Sequence, residues 1–169
     1  MFLSSSRFSF VNELEQHWQS VRDECMALPL NEFDPWPEKS LCRHGWDVYG
    51  LVLASRFILA NCIFCPATTG LLRRIPGVVN AGFSRLAAGA VITPHVGYSN
   101  EVLRLHLGLL VQAPSGIRVG QQVQTWVPGK CLIFDDTVEH EAWNRSDSDR
   151  LLLLLDFVKP QGWSHHDTN

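Results

Sequence analysis

The chain has 169 residues, 46% hydrophobic and 18% charged, with 14 Lys and Arg against 17 Asp and Glu for a net charge of −3. That length suits one domain around one core, and the apolar fraction excludes a disordered chain. The slightly acidic balance excludes a nucleic-acid binder that works through a broad basic face.

The first predicted element is an amphipathic helix. Phe10, Leu14, Trp18, Val21, Cys25 and Leu28 recur at three- and four-residue steps, and Pro29 closes it. Residues 31–38 carry Pro35 and Pro37 and read as a loop, whereas 46–53 are bulky and β-branched and read as a strand. The apolar stretch 50–65 is broken by Arg56 and Asn61, and the run 151–155 is too short to span a bilayer, so no membrane partner is expected. A second helix is predicted over 66–75, opened by Pro66 and stopped by Pro76 and Gly77. The five cysteines are odd in number, and no sustained apolar run opens the chain. Free thiols and a cytoplasmic location are therefore expected. Cys62-Ile-Phe-Cys65 is a single CxxC without the second half of a zinc site.

From Val78 onward short β-prone runs alternate with turn signals. Strands are predicted over 82–87, 102–112, 116–119, 122–127, 130–134, 139–143 and 150–158. The expected organisation is one domain, 1–169. Residues 1–77 form a helical part with a strand, 78–160 an antiparallel double-sheet barrel, and 161–169 a tail.

Polar residues interrupt two of these strands. Strict alternation puts Leu103, Leu105, Leu107 and Leu109 on one face, and Arg104, His106 and Gly108 on the other. Arg150 opens a run of five leucines that ends at Asp156, so its guanidinium is expected to be buried and to need an anion, from the protein or from a ligand. His95 and His140 stand on separate predicted segments without HxH or HExxH spacing, so spacing alone leaves a metal and a structural role open. Asp135, Asp136 and Glu139 read as a solvated acidic turn, and Asn144-Arg-Ser146 as a chance glycosylation match. There is no GxGxxG and no P-loop.

Three segments in order, PHVGYSNEVLRLHLGLLV, TWVPGKCLIFDDTVEHEAWN and RLLLLLDFVKP, resemble the aspartyl/asparaginyl β-hydroxylase family of Fe(II)- and 2-oxoglutarate-dependent dioxygenases. The resemblance spans roughly residues 46–160 and implies a mainly β, cupin-like jelly roll, the double-stranded β-helix, with the N-terminal helices packed on it. It implies His95 and His140 as the iron ligands and Arg150 as the residue that grips the distal carboxylate of 2-oxoglutarate. Arg104 and His106 would hold the other end of that cosubstrate, and Ser84 and Trp46 would line its pocket. Gly97 stands where a facial triad carries a carboxylate. The vacant position would take water or an anion, with Asp136 either bonded to that water or a plain turn residue.

The implied cofactors are Fe(II), 2-oxoglutarate and O2. The implied reaction hydroxylates a C–H of an aspartyl or asparaginyl residue, or of a related amino acid, and releases succinate and CO2. Val102 stands where the animal enzymes are expected to carry a basic residue. That opens the substrate to a free amino acid such as proline, a peptide natural product or a lipid acyl chain. Halogenation is a minor alternative, and a cupin-like protein that binds metal or an organic acid without turnover is the reading from another class. The expected partners are a small molecule or peptide, with no nucleic acid and no membrane; the oligomeric state stays open.

Overall fold

Described over residues 1–163, the computed structural model contains, in chain order, β1 (Phe2–Leu3), α1 (Phe10–Gln16), α2 (Trp18–Ala27), β2 (Asp34–Pro35), β3 (Trp46–Leu53) and β4 (Arg56–Phe57). Then come α3 (Leu59–Cys62), α4 (Pro66–Leu72), β5 (Val78–Leu86), β6 (Val91–His95) and β7 (Val102–Leu110). The last elements are β8 (Ser115–Val119), β9 (Gln122–Gln124), β10 (Cys131–Phe134), β11 (His140–Asn144) and β12 (Arg150–Val158). The expected tail, from residue 164 on, lies outside the described residues.

Two antiparallel sheets face each other. The larger has the order β1-β10-β7-β12-β5-β3-β2, with β4 added on β3; the smaller has the order β6-β11-β8-β9. This is the double-stranded β-helix. The larger sheet is covered on both faces, which is why β7 and β12 are almost wholly apolar. Leu103, Leu105, Leu107, Leu153, Leu155 and Phe83 face the helices and join Val11, Leu14, Val21 and Leu72 in one core. Their opposite faces meet the smaller sheet, where Trp46, Leu86, Leu152, Ile92, Ile117 and Phe134 form a second core. Each leucine fully buried in either core stabilises the fold by about 2 kcal/mol.

The predicted first helix is two. His17 leaves the helical region at φ −105°, ψ 13°, and both its backbone N–H and its Nδ1–H donate to the Glu13 carbonyl, ending α1. Only then does α2 begin. The second predicted helix stops at Leu72 rather than Ile75, and β6, interrupted by a proline, was not predicted. Asp135 and Asp136 are buried, so the expected solvated turn is corrected: Lys159 Nζ donates to Asp135 at 2.6 Å, and burying the pair needs that partner. Asn144 is fully buried too, and no sugar reaches it. Its amide donates to the carbonyls of Leu86 (2.9 Å), Ala87 (3.1 Å) and Ser148 (2.8 Å), tying β11 of one sheet to the end of β5 in the other.

One carboxylate fastens two helices together. Pro66 opens α4, and the next two backbone N–H groups lack partners within the helix. Glu24 of α2 accepts from the N–H of Ala67 at 2.7 Å, and from the N–H and hydroxyl of Thr68 at 2.9 and 2.7 Å. Glu24→Ala should therefore lower the unfolding free energy by about 1–2 kcal/mol. Urea denaturation measures this, and an unchanged midpoint would show that the clamp contributes nothing.

Candidate active site

His95 on β6 and His140 on β11 are register partners in the smaller sheet, with ring centroids 4.2 Å apart. Each ring is held the same way: Nδ1 lies 2.8 Å from the Thr93 carbonyl in His95 and 2.9 Å from the Val138 carbonyl in His140. A carbonyl only accepts, so Nδ1 carries the proton and the Nε2 lone pair is left free. Burial pushes His140 down to about 4, which keeps it neutral at physiological pH. Two imidazoles oriented by backbone carbonyls, side by side, are the kind of pair that can ligate a divalent metal. No third His, Cys, Asp or Glu completes a ligand cluster with them among the described residues.

The position two residues after His95 is filled in an unexpected way. A Cβ added to Gly97 would overlap the Asp136 carboxylate, and the Gly97 N–H donates to the Asp136 carbonyl at 2.6 Å. Glycine is there for space. The carboxylate that fills the space beside Gly97 comes from the segment before His140. Asp136 is pushed up to about 6 by burial, against the lowering effect of Arg104 at 3.1 Å, and neither of its oxygens has a hydrogen-bond partner.

Behind the histidines lies a small cavity, and Trp46, Ser84, His95, Arg104, His106, His140 and Arg150 all line it. The structure thus brings together every site residue expected from the sequence. Arg150 is buried, its guanidinium lies 4.7 Å over the Trp126 ring, and its Nη2 donates to Ser84 Oγ at 3.2 Å. No carboxylate among the described residues pairs with it, and its Nε has no partner. Burial lowers its pKa to about 9, so it stays charged at pH 7.

Its neighbours point the same way. Ser84 Oγ accepts from Arg150 and from Trp46 Nε1 at 3.2 Å, so both acceptor positions are used and its own O–H is left to donate. His106 is neutral because burial, then Arg150 and Arg104, hold its pKa well below the usual range. Trp126 Nε1 donates to its Nδ1 at 3.3 Å, so the His106 proton sits on Nε2, buried and without a partner. A guanidinium, a hydroxyl and an imidazole N–H with donors to spare, around one cavity, are the groups that receive a carboxylate.

Arg104 differs, and the expectation that it grips a cosubstrate is changed accordingly. Its Nε and Nη2 donate to the two oxygens of Asp156 at 2.8 and 3.1 Å, and Asp136 is also within 3.1 Å. The charge is already met. Its side chain forms a wall shared by the cavity and a larger groove.

That groove runs outward from His95. Val48, Val52, Leu53, Ile58, Ala81 and Leu154 make it apolar, and Trp36, stacked on Trp46 at 4.0 Å, closes one side. Gly50 and Gly82 are register partners on adjacent strands, which leaves a trough without side chains. Asp34 and Glu38 stand at its rim, and Arg104 is its only Lys or Arg among the described residues.

Trp126, Asp156 and the groove are what sequence reasoning missed. Asp156 was within reach, because it has the same parity as Arg150 on one strand and so the same inward face.

Comparison with known proteins follows this geometry. The family model described as aspartyl/asparaginyl beta-hydroxylase matches residues 15–160. The chain is 50% identical over 167 residues to the ornithine lipid ester-linked acyl 2-hydroxylase of Rhizobium tropici, covering 92% of this chain and 59% of that protein. It is 32% identical to the human aspartyl/asparaginyl beta-hydroxylase, covering 89% of this chain and 21% of that one. It therefore spans less than two thirds of either relative. Among solved structures, a prolyl-4-hydroxylase from Pseudomonas putida superposes with a TM-score of 0.60 at 14% identity, covering 90% of this chain and 98% of that one. An oxidoreductase of the 2OG-Fe(II) oxygenase family from Burkholderia pseudomallei gives 0.58 at 12% identity, covering 68% and 67%. At such identities the likeness concerns the fold.

The contrast between the two arginines yields a test. Arg150→Met removes a buried charge that no protein carboxylate offsets, so the ligand-free variant should melt no lower than the parent. Its affinity for 2-oxoglutarate should fall by on the order of 2–5 kcal/mol, read from the loss of the ligand-induced rise in Tm. A ligand-free Tm several degrees lower would make Arg150 a structural residue.

Proposed function

Since the chain belongs to the aspartyl/asparaginyl β-hydroxylase family, we propose that it is an Fe(II)- and 2-oxoglutarate-dependent hydroxylase that acts on the acyl chain of a lipid. The observation that carries the reading is Arg150, a buried cation with donors directed at a cavity and no anion from the protein. A dicarboxylate supplies the missing charge. Arg150, the Ser84 hydroxyl and His106 Nε2–H would hold one carboxylate of 2-oxoglutarate, and His95 and His140 would hold iron through Nε2. The donor set fits: neutral imidazoles suit Fe(II), and the unpartnered donors suit an acid. When bound, iron supplies O2 activation and C–H oxidation, chemistry that no side chain provides. The protein's own part is to orient and to exclude water. Trp126 covers the guanidinium of Arg150, and the Trp36–Trp46 stack shields the histidine side of the cavity.

The groove supports the choice of substrate. A peptide aspartate brings a carboxylate, and the one cation of the groove is already bound to Asp156. An apolar trough beside the histidines suits an acyl chain instead, and Asp34 and Glu38 at its rim suit a headgroup that carries an amine. The likeness to the Rhizobium lipid hydroxylase agrees with this order of preference. An Asp or Asn residue, first in the sequence reading, becomes second.

The test supplies Fe(II), O2 and 2-oxoglutarate with either an amine-bearing acyl lipid or an Asp-containing peptide. Succinate and the gain of one oxygen are then measured by mass spectrometry. The lipid should be oxygenated, and His95→Ala and His140→Ala should each end the reaction. Ile58→Asp, which puts a charge on the trough wall, should lower kcat/KM for the lipid by about 10–100-fold while KM for 2-oxoglutarate holds. Oxygenation of the peptide alone would sink the lipid assignment. Iron and ligand binding without oxygen-dependent succinate would make the protein a binder rather than an enzyme.

A further inference from the structure

The segment that walls the groove is unusual in what it turns outward. Leu53, Leu59, Ile63 and Phe64 are 64%, 65%, 70% and 64% exposed. Helix α3 shows its apolar face to solvent, because Leu59 and Ile63 are one turn apart on the outside while Cys62 is buried. Leu53 and Ile58 also line the groove, so the outward apolar surface is continuous with the mouth of the trough.

Charge follows the same pattern. Between Asp47 and Glu101 the chain has no Asp or Glu, although its net charge is −3. Arg56 is exposed and is the register partner of Leu53, and Arg73, also exposed, has its guanidinium 5.4 Å over the Phe57 ring. Arg56 and Arg73 thus stand beside the apolar lip on the α3 side, apart from Asp34 and Glu38, which belong to the segment around β2. The β3–β4 turn is held in a costly form, with Ala54 and Ser55 at φ 47° and 62°; the Ala54 N–H donates to Asn80 and the Ser55 N–H to Val79. That fixed turn sets Leu53 and Arg56 side by side at the groove mouth.

We propose that this surface, the outer face of α3 with the β3–β4 turn, docks on an anionic lipid bilayer and opens the groove onto it. The proposal rests on the acyl-chain reading above and goes beyond it. A lipid tail is not free in water, and an enzyme whose groove opens at the bilayer surface receives the tail without full exposure of the chain. Apolar side chains enter the headgroup boundary, and Arg56 and Arg73 meet anionic headgroups. No helix among the described residues is long and apolar enough to cross a membrane, and peripheral docking requires none. The proposal departs from the sequence expectation of no membrane partner.

Co-sedimentation with vesicles tests it, using phosphatidylcholine alone and phosphatidylcholine with an equal part of phosphatidylglycerol. The parent protein should pellet with the anionic vesicles, less with the neutral ones, and less at high salt. The double variant Ile63→Ser/Phe64→Ser should bind at least about tenfold more weakly, and Arg56→Gln about fivefold. The melting temperature and its rise with 2-oxoglutarate should stay as in the parent. A parent that stays in the supernatant with both vesicles overturns the proposal, as does a serine variant that binds as the parent does. A dimer lost in the serine variant, without vesicle binding, would assign the surface to a second copy of the chain and overturn it as well. The two readings separate cleanly. Hydroxylation of detergent-dispersed lipid without vesicle binding keeps the acyl substrate and removes the docking surface. Vesicle binding without oxygenation of any acyl lipid does the reverse.

Discussion

A guanidinium taken out of water needs an anion, and the two buried arginines of this barrel meet that need in opposite ways. Arg104 and Asp156 are register partners on β7 and β12 and close a two-bond pair, so strand pairing itself brings the anion. Arg150 lies at the other end of β12, about 20 Å along a strand of this length. Burial works against both charges, yet Asp156 and Asp136 raise the pKa of Arg104 while that of Arg150 falls. One end of the strand carries its own anion and the other does not. The remaining features follow from that asymmetry: donors without acceptors, and a tryptophan packed over the unpaired guanidinium.

Alternation made the inward face of β7 legible, because Arg104 and His106 share a parity between leucines. The same logic marked Arg150, whose strand was predicted with its observed bounds. What strand parity omits is partnership. Nothing local says that Arg104 finds Asp156 across the sheet, or that Trp126 lies over Arg150 from a segment read as strand to residue 127 that leaves the ladder at Gln124. Pro94 hid β6, the strand that carries His95. The helical pattern over 10–28 ran straight through His17, because its periodicity survives a break that keeps the same face inward. The trough depends on Gly50 lying opposite Gly82, a register that neither glycine announces alone.

The cavity and the groove are separate spaces. The cavity lies between the two sheets, the groove opens beyond Arg104, and Trp46, His95, Arg104 and Leu154 form the wall they share. Family membership therefore speaks first to the cavity. Relatives named for a lipid and for aspartyl or asparaginyl residues can keep one interior and differ along the trough.

The Asn144 strut has a consequence for how the site is held. The two histidines sit on the smaller sheet, and Ser84, His106 and Arg150 sit on the larger. The histidine pair and the unpaired donors are thus mounted on opposite jaws, and the spacing between them is the spacing of the sandwich. A buried amide that grips two carbonyls across that gap, and a third in the loop after its own strand, works as the fixed stop of a caliper. A side chain that lines neither the cavity nor the groove thus fixes how far apart the two sets of site residues are held.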